Sequence, residues 1–333
     1  MTQTAEKWCF LSGRIAAMEA RLIRDEAMQR MVRLDKLDDV FLSVSDTRYK
    51  EYFPIIETLY EADGIVSSAY MDHVQEVARY SPAPDVADMF VVQFDFRGFK
   101  AYLKNTLAGL DVQFGNRSSV SVGTWERVYN DLKTPLPGFW YRAAGLIRAE
   151  HDESHPEQTA QVIDLVLDAE YLIQQEAAAQ ALGYPLIVRW AEMLKLVSAI
   201  EILWRAKGAA YDPEQVKRLF LRDSLNASLL KELHALPLAD WPDRLRFSPV
   251  GRIVDDVFSQ QEGDRLTEFV RLGENLLLDI VRPARNVAFG PDRVFGYLCA
   301  LRTEAYNLRL VLSGKVNKIS EELLAARVRT QYV

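Results

Sequence analysis

Apolar residues recur along this chain at intervals of three, four and seven, and no run alternates as a strand would. The clearest case is Val294, Tyr297, Leu298, Leu301, Leu308 and Leu312, which form one stripe of an amphipathic helix. Pro291 opens that helix and Gly314 closes it. Val86, Phe90, Phe94, Phe99 and Leu103 predict a second long helix over 85–107, and a third runs from Pro185 to about Lys207, closed by Gly208.

The remaining pattern is also helical. Leu11, Ile15, Met18 and Leu22 predict a helix over 12–30, followed by a short one with Leu34, Leu37 and Phe41. Residues 49–80 read as two helices divided near Asp63–Gly64, and Ser81 to Pro84 is a stop. Residues 109–123, with Gly109, Gly115, Asn116 and Gly123, read as loop. Thr124 caps a helix over 125–133, and further helices follow over 139–150 and 157–181. Asp212 caps one that starts with Pro213. Two short helices fall within 224–247 and two more within 249–281, split near Glu262–Gly263; a last one is capped by Ser320. The fold class is all-α.

The three long helices align with one another as Asp95-x-x-Gly98-Phe99-Lys100, Leu196-x-x-Ala199-Ile200-Glu201 and Glu304-x-x-Asn307-Leu308-Arg309. Their apolar positions lie 101 (200 − 99) and 108 (308 − 200) residues apart. Asp212 and Ser320 each fall 12 residues after that position (212 − 200, 320 − 308), and Thr124 falls 25 after its own (124 − 99). The period is too long for a small-repeat solenoid and suggests three homologous helical domains, 1–108, 109–210 and 211–333. From spacing alone, a chance likeness between amphipathic helices stays open beside a true repeat.

Composition narrows the function classes. The 333 residues are 49% hydrophobic and 26% charged, as in soluble globular proteins, and 16 Gly with 13 Pro leave little room for a turn-rich all-β fold. A net charge of −7 disfavours non-specific nucleic-acid binding. Cys9 and Cys299 make neither a disulfide framework nor a zinc spacing, which suits a reducing cytosol. No apolar run approaches the roughly 20 residues of a membrane span, and the N-terminus lacks a signal-peptide pattern.

Candidate chemistry is sparse. A phosphate loop ending at Gly314-Lys315 needs glycine where Arg309 stands. His151 and His155 have helical zinc spacing, but Asp152 stands where the zinc-protease pattern wants Glu, and Pro156 disrupts the helix; a solvated turn is the better reading. Asp38-Asp39 and Asp255-Asp256 suggest the aspartate-rich motifs of all-helical prenyl-transferring enzymes. Leu42 and Ser259 replace the further carboxylate those need, so helix-starting carboxylates are preferred. No catalytic, metal-binding or cofactor-binding set emerges.

Both ends of the chain resemble a known family. Asn307-Leu-Arg-Leu-Val-Leu-Ser-Gly-Lys315, Ile319-Ser-Glu-Glu-Leu323 and Arg329-Thr-Gln-Tyr-Val333 are similar to the end of the C-type subunit of V/A-type rotary ATPases, called the d-type subunit in eukaryotes. Gly13 to Ile23, Leu37 to Leu42 and Asp46-Thr-Arg-Tyr49 resemble its first helices. Asp95 to Lys100 resembles its Asp-x-x-Asn-Leu-Lys element, with Gly98 where Asn is usual; the middle copy, with Leu196 and Ala199, is the most divergent.

The resemblance implies three similar helical-bundle domains in a funnel with pseudo-threefold symmetry. It implies a non-catalytic rotor socket without cofactors, joining the central shaft (D- and F-type subunits) to the membrane rotor ring of proteolipid subunits. Such a socket sits peripherally on the cytoplasmic face and passes torque between ATP hydrolysis or synthesis and proton or sodium transport. Asp95, Lys100, Glu304, Asn307 and Arg309 are then expected to tie helices together within their domains. Two other readings are a cytosolic helical scaffold and an all-helical enzyme with an unrecognised site.

Overall fold

The computed structural model describes residues 2–52, 59–112, 118–260 and 264–333, without the side chains of 2–6 and 59–63. The described residues hold helices and no strand. In chain order these are α1 (Thr2–Glu19), α2 (Asp25–Arg33), α3 (Leu37–Ser43), α4 (Leu59–Tyr80), α5 (Asp85–Leu107), α6 (Val122–Tyr129), α7 (Gly138–Glu150) and α8 (Pro156–Leu182). There follow α9 (Pro185–Gly208), α10 (Pro213–Leu219), α11 (Ser228–Ala235), α12 (Trp241–Leu245), α13 (Gly251–Ser259), α14 (Arg265–Val281), α15 (Pro291–Val316) and α16 (Glu321–Ala325). Short 3-10 turns include Arg48–Glu51 and Arg282–Asn286. No helix is long and apolar enough to cross a membrane among the described residues.

The long helices α5, α8 and α9 lie within a residue of their predicted ends. The first predicted helix divides into α1 and α2, because residues 20–24 turn and Leu22 and Ile23 bury themselves in the bend. Conversely, α4 runs unbroken through Asp63–Gly64, so that glycine interrupts nothing. The predicted break at Glu262–Gly263, with Gly115 and Asn116, lies outside the described residues. Asp38 and Asp39 occupy the first turn of α3, but Asp255 and Asp256 sit inside α13, which begins at Gly251.

The caps show where local signals operate. Asp212 and Ser320 accept backbone N–H bonds from Glu214 and Leu323, as N-caps do. The cap of α6 is Ser121, not Thr124: its hydroxyl accepts the N–H of Thr124 at 3.2 Å. At the other ends, only Gly109 of the three aligned glycines takes a positive φ, of 61°. After α9 and α15 the left-handed residues are Ala210 and Lys318, two and four positions beyond Gly208 and Gly314.

Gly314 has another use. A Cβ there would lie 2.3 Å from Cδ2 of the fully buried Leu324, so its bare backbone seats α16 against α15.

The chain forms two compact units. The first comprises Met1–Val91, Gln180–Trp190 and Thr267–Val333; the second comprises Val92–Ala179 and Ala191–Leu266. In the first, α15 is central and packs on α1, α2, α3, α4 and α16. Its apolar stripe is shut off from solvent, and Phe295 packs near Phe90 and Trp190. In the second, Phe96, Phe99, Trp125 and Trp140 form an aromatic core. The aligned apolar residues Phe99, Ile200 and Leu308 are all fully buried.

Candidate functional site

The most concentrated chemistry of the first unit is a buried polar seam along α15. Burial of ionisable groups is unfavourable unless every charge and lone pair finds a partner, and the partners here come from segments remote in sequence. Glu304 is fully buried. One of its oxygens accepts the backbone N–H of Ile23, in the bend between α1 and α2, at 2.5 Å. The other faces Nε of the buried Arg48 at 3.3 Å. Arg48 also donates to the hydroxyl of Tyr297, which precedes Glu304 on α15, at 3.2 Å. Burial pushes the Glu304 carboxyl above its ordinary range, while Arg48, the Ile23 N–H and the Tyr49 hydroxyl oppose that rise.

One turn further on, Asn307 uses both ends of its amide on one residue. It donates to the carbonyl of Arg329 at 2.7 Å and accepts the Arg329 N–H at 3.0 Å. The Arg329 guanidinium lies over the Tyr306 ring, 3.3 Å from its centroid, and 3.5 Å from Glu274. Arg302 donates to the same Glu274 at 2.8 Å. Burial raises the Glu274 carboxyl, but Arg302 and Arg329 together outweigh it and leave it below its ordinary value. Arg309 donates to Ser67 on α4 at 2.7 Å, and Lys315 donates to the Val32 carbonyl at the end of α2.

The last residues of the chain are laced down in the same way. Asn275 accepts the N–H of Thr330, Asp25 accepts that of Gln331, and Arg282 donates to the Gln331 carbonyl, each at 3.0 Å.

In the second unit Asp95 plays a part like that of Glu304, reading the backbone of a loop. It accepts the Ser119 N–H at 2.7 Å and the Ser118 hydroxyl at 2.9 Å. Gly98 makes this approach possible: a Cβ there would stand 2.8 Å from Cβ of Ser118 and 3.5 Å from the Trp125 indole nitrogen. Lys100 reaches Asp168 at 2.6 Å and Asp164 at 3.0 Å on α8, and Lys104 reaches Asp164 at 2.7 Å. Burial opposes the Lys100 charge, but the two aspartates outweigh it and raise the ammonium above its ordinary value. On α9, Leu196 and Ala199 have no polar group to offer, and Glu201 pairs along its own helix with Arg205 at 2.7 Å.

Glu304, Asn307 and Arg309 thus lie in one seam, with Asp95 and Lys100 in the other unit. Lys100, Asp95, Glu304 and Arg309 all find partners outside the spans 1–108 and 211–333 drawn around them from sequence. Periodicity did not reveal Arg48, Tyr297, Glu274 or Arg329 as polar partners. Arg48 and Arg329 do fall inside two of the stretches that carry the family resemblance, and Ile23 ends a third.

The other candidates resolve simply. His155 bonds to Asp152 at 2.8 Å in an exposed turn, and with the Ser154 N–H it holds the Asp152 carboxyl at about 2. Among the described residues no cluster of His, Cys, Asp and Glu could hold a metal ion.

Several of the stretches that converge on α15 carry the V/A-type resemblance, and comparison with known proteins extends the likeness to nearly the whole chain. Residues 11–327 match the family described as ATP synthase (C/AC39) subunit. The C subunit of the V-type sodium ATPase of Enterococcus hirae is 22% identical over 329 residues, which covers 97% of this chain and 98% of that protein. With the family match running through the α1–α2 bend, the Arg48 turn and the α15 seam alike, the chain belongs to the ATP synthase (C/AC39) subunit family of V/A-type ATPases.

Proposed function

We propose that this chain is the non-catalytic socket of a V/A-type ATPase rotor. It joins the D- and F-type subunits of the central shaft to the membrane ring of proteolipid subunits. It thereby carries torque between ATP hydrolysis or synthesis and the transport of protons or sodium. It works at the cytoplasmic face, held peripherally through the complex. The observation that carries this reading is the family match from residue 11 to residue 327.

The α15 seam supports it physically. A torque coupler needs stiffness, and side chains that bond directly to the backbone of remote segments resist sliding of one element past another. We assign this role of rigid joint to Asp95, Lys100, Glu304, Asn307 and Arg309. The sodium specificity in the relative's name makes sodium the first ion to test.

Affinity purification of the tagged chain from detergent-solubilised membranes tests the assignment. Shaft and ring subunits are expected in the eluate, and recovery of neither would sink the reading. Deleting the gene is expected to abolish ATP-driven ion transport while the soluble head still hydrolyses ATP. Unchanged ion transport in the deletion strain would overturn it independently.

A further inference from the structure

Residues of the α1–α2 bend, the Arg48 turn and α4 line a cavity of about 500 Å³ that opens to solvent, and His73 on α4 is part of its wall. The His73 Nδ1 lies 2.7 Å from the Ala69 carbonyl, one turn back on the same helix. A carbonyl only accepts, so Nδ1 carries the proton of the neutral ring and Nε2 is bare. Histidine is the one side-chain type whose ordinary charge change falls between about pH 5 and 8. His73 is the only histidine among the described residues that line the cavity. The other described ionisable groups there are Arg48, Lys50 and Glu51 of the turn, Asp46 and Tyr52 beside it, Arg21 of the bend, and Asp72 and Glu76 of α4. Both carboxylates of α4 are engaged: Tyr52 donates to Asp72 at 2.7 Å, and Arg14 on α1 donates to Glu76 at 3.0 Å. Arg48 faces Glu304 at 3.3 Å with no hydrogen bond between the facing atoms. That tie is electrostatic and answers to any new charge beside it.

We propose that His73 is a pH switch for the helix contacts of the first unit. The neutral ring leaves Arg48 to Glu304 and Glu76 to Arg14, so the Arg48 turn stays tied to α15 and α1 stays tied to α4. A proton that enters from solvent through the cavity adds to Nε2, and the ring then carries a positive charge. That charge repels Arg48 and attracts Glu76, three residues further along α4. Both ties weaken together. Burial and the Arg48 charge hold the ring below its ordinary 6.5, against the Ala69 bond and the pull of Glu76 and Asp72. The unfolded chain therefore binds a proton that the folded chain refuses just below that value. Stability from this site is full above 6.5 and is lost as pH falls from 6.5 to the folded value. The switch lies wholly within the first unit and is independent of the rotor reading.

The test uses the full chain. His73→Asn keeps an N–H for the Ala69 carbonyl and cannot gain a charge. As pH falls below 6.5, the unfolding equilibrium constant of the wild type should rise, relative to this variant, by up to about tenfold per pH unit. The Tyr52 amide bonds to the Tyr49 carbonyl at 2.9 Å and closes the Arg48 turn. Its protection from hydrogen exchange should fall over the same range in the wild type and hold in the variant. If His73→Asn does not fold, NMR titration of the wild-type histidines decides: the His73 ring should titrate below 6.5, and the Tyr52 amide should lose protection with the same midpoint. Parallel stability curves for the two proteins would overturn the proposal. So would a His73 ring that titrates at or above 6.5, or Tyr52 protection that ignores its titration.

Discussion

The amide of Asn307 closes a two-way bond with the backbone of Arg329: Nδ2 donates to its carbonyl and Oδ1 accepts its N–H, with all four groups buried. This pairing satisfies a stretch of non-helical backbone that would otherwise lie unbonded in the interior. Substituting Asn307→Leu keeps the size and removes both partners. Each orphaned backbone group is expected to cost about 1–3 kcal/mol. Denaturant unfolding should register the loss, and the Arg329 amide should exchange with solvent markedly faster. An unchanged exchange rate would show that the tail is held by other bonds.

Arg48 and Glu304 form a buried pair whose removal should be strongly non-additive. Arg48→Met leaves a carboxylate in the interior without its cation and is expected to destabilise by about 3–5 kcal/mol. Adding Glu304→Leu to that variant should recover a large part of the loss, since two apolar groups replace two charges. The double-mutant cycle reads the coupling directly; additive losses would mean that the pair does not interact as the geometry indicates.

Acid sensitivity should trace to Glu274. Its carboxyl is held below the ordinary value of 4.5 in the folded chain, because Arg302 and Arg329 outweigh burial. The unfolded chain then binds more protons in that range, so this stabilisation is present above 4.5 and fades as pH falls through the folded value. Glu304 has the opposite sign, since burial raises it: its contribution is fullest below 4.5 and is lost as pH rises through the folded value. Unfolding free energies measured from about pH 7 downward should therefore fall less steeply in Glu274→Gln than in the wild type. Parallel curves would remove Glu274 from the account.

Gly98→Asn restores the residue usual in the family's element and should still be harmful here. Its Cβ would press on Cβ of Ser118, which is close to the backbone and has little room to yield. Displacing that loop also breaks the bonds to Asp95. Overpacking of this kind costs about 1–3 kcal/mol. Thermal unfolding of Gly98→Asn beside Gly98→Ala measures it, with Ala expected to account for most of the effect. A stable Asn variant would show that the loop moves freely.

These residues mark how far the chain could be read without its structure. Asp95, Glu304 and Asn307 stood out because they occupy aligned positions of the long helices, yet their partners could not be named. Ile23 lies 281 residues from Glu304, and no periodicity links them. The aligned glycines were legible as marks near helix ends. Their uses were not: Gly109 takes a positive φ, while Gly314 makes room for Leu324. Sequence comparison reached the α1–α2 bend, the Arg48 turn and the C-terminal residues as separate likenesses, and α15 is where the three meet.

What the sequence by itself determined is local. The 3.6-residue period, the proline starts, the Asp212 and Ser320 caps and the buried positions Phe99, Ile200 and Leu308 depend on groups a few residues apart, so they survive in any all-helical arrangement. Tertiary structure decided which remote backbone each polar side chain would satisfy, and which glycine would yield its space to a neighbour. The reason is that a buried carboxylate or amide must find a partner somewhere along the whole path of the chain, and that path is settled only when the helices have packed.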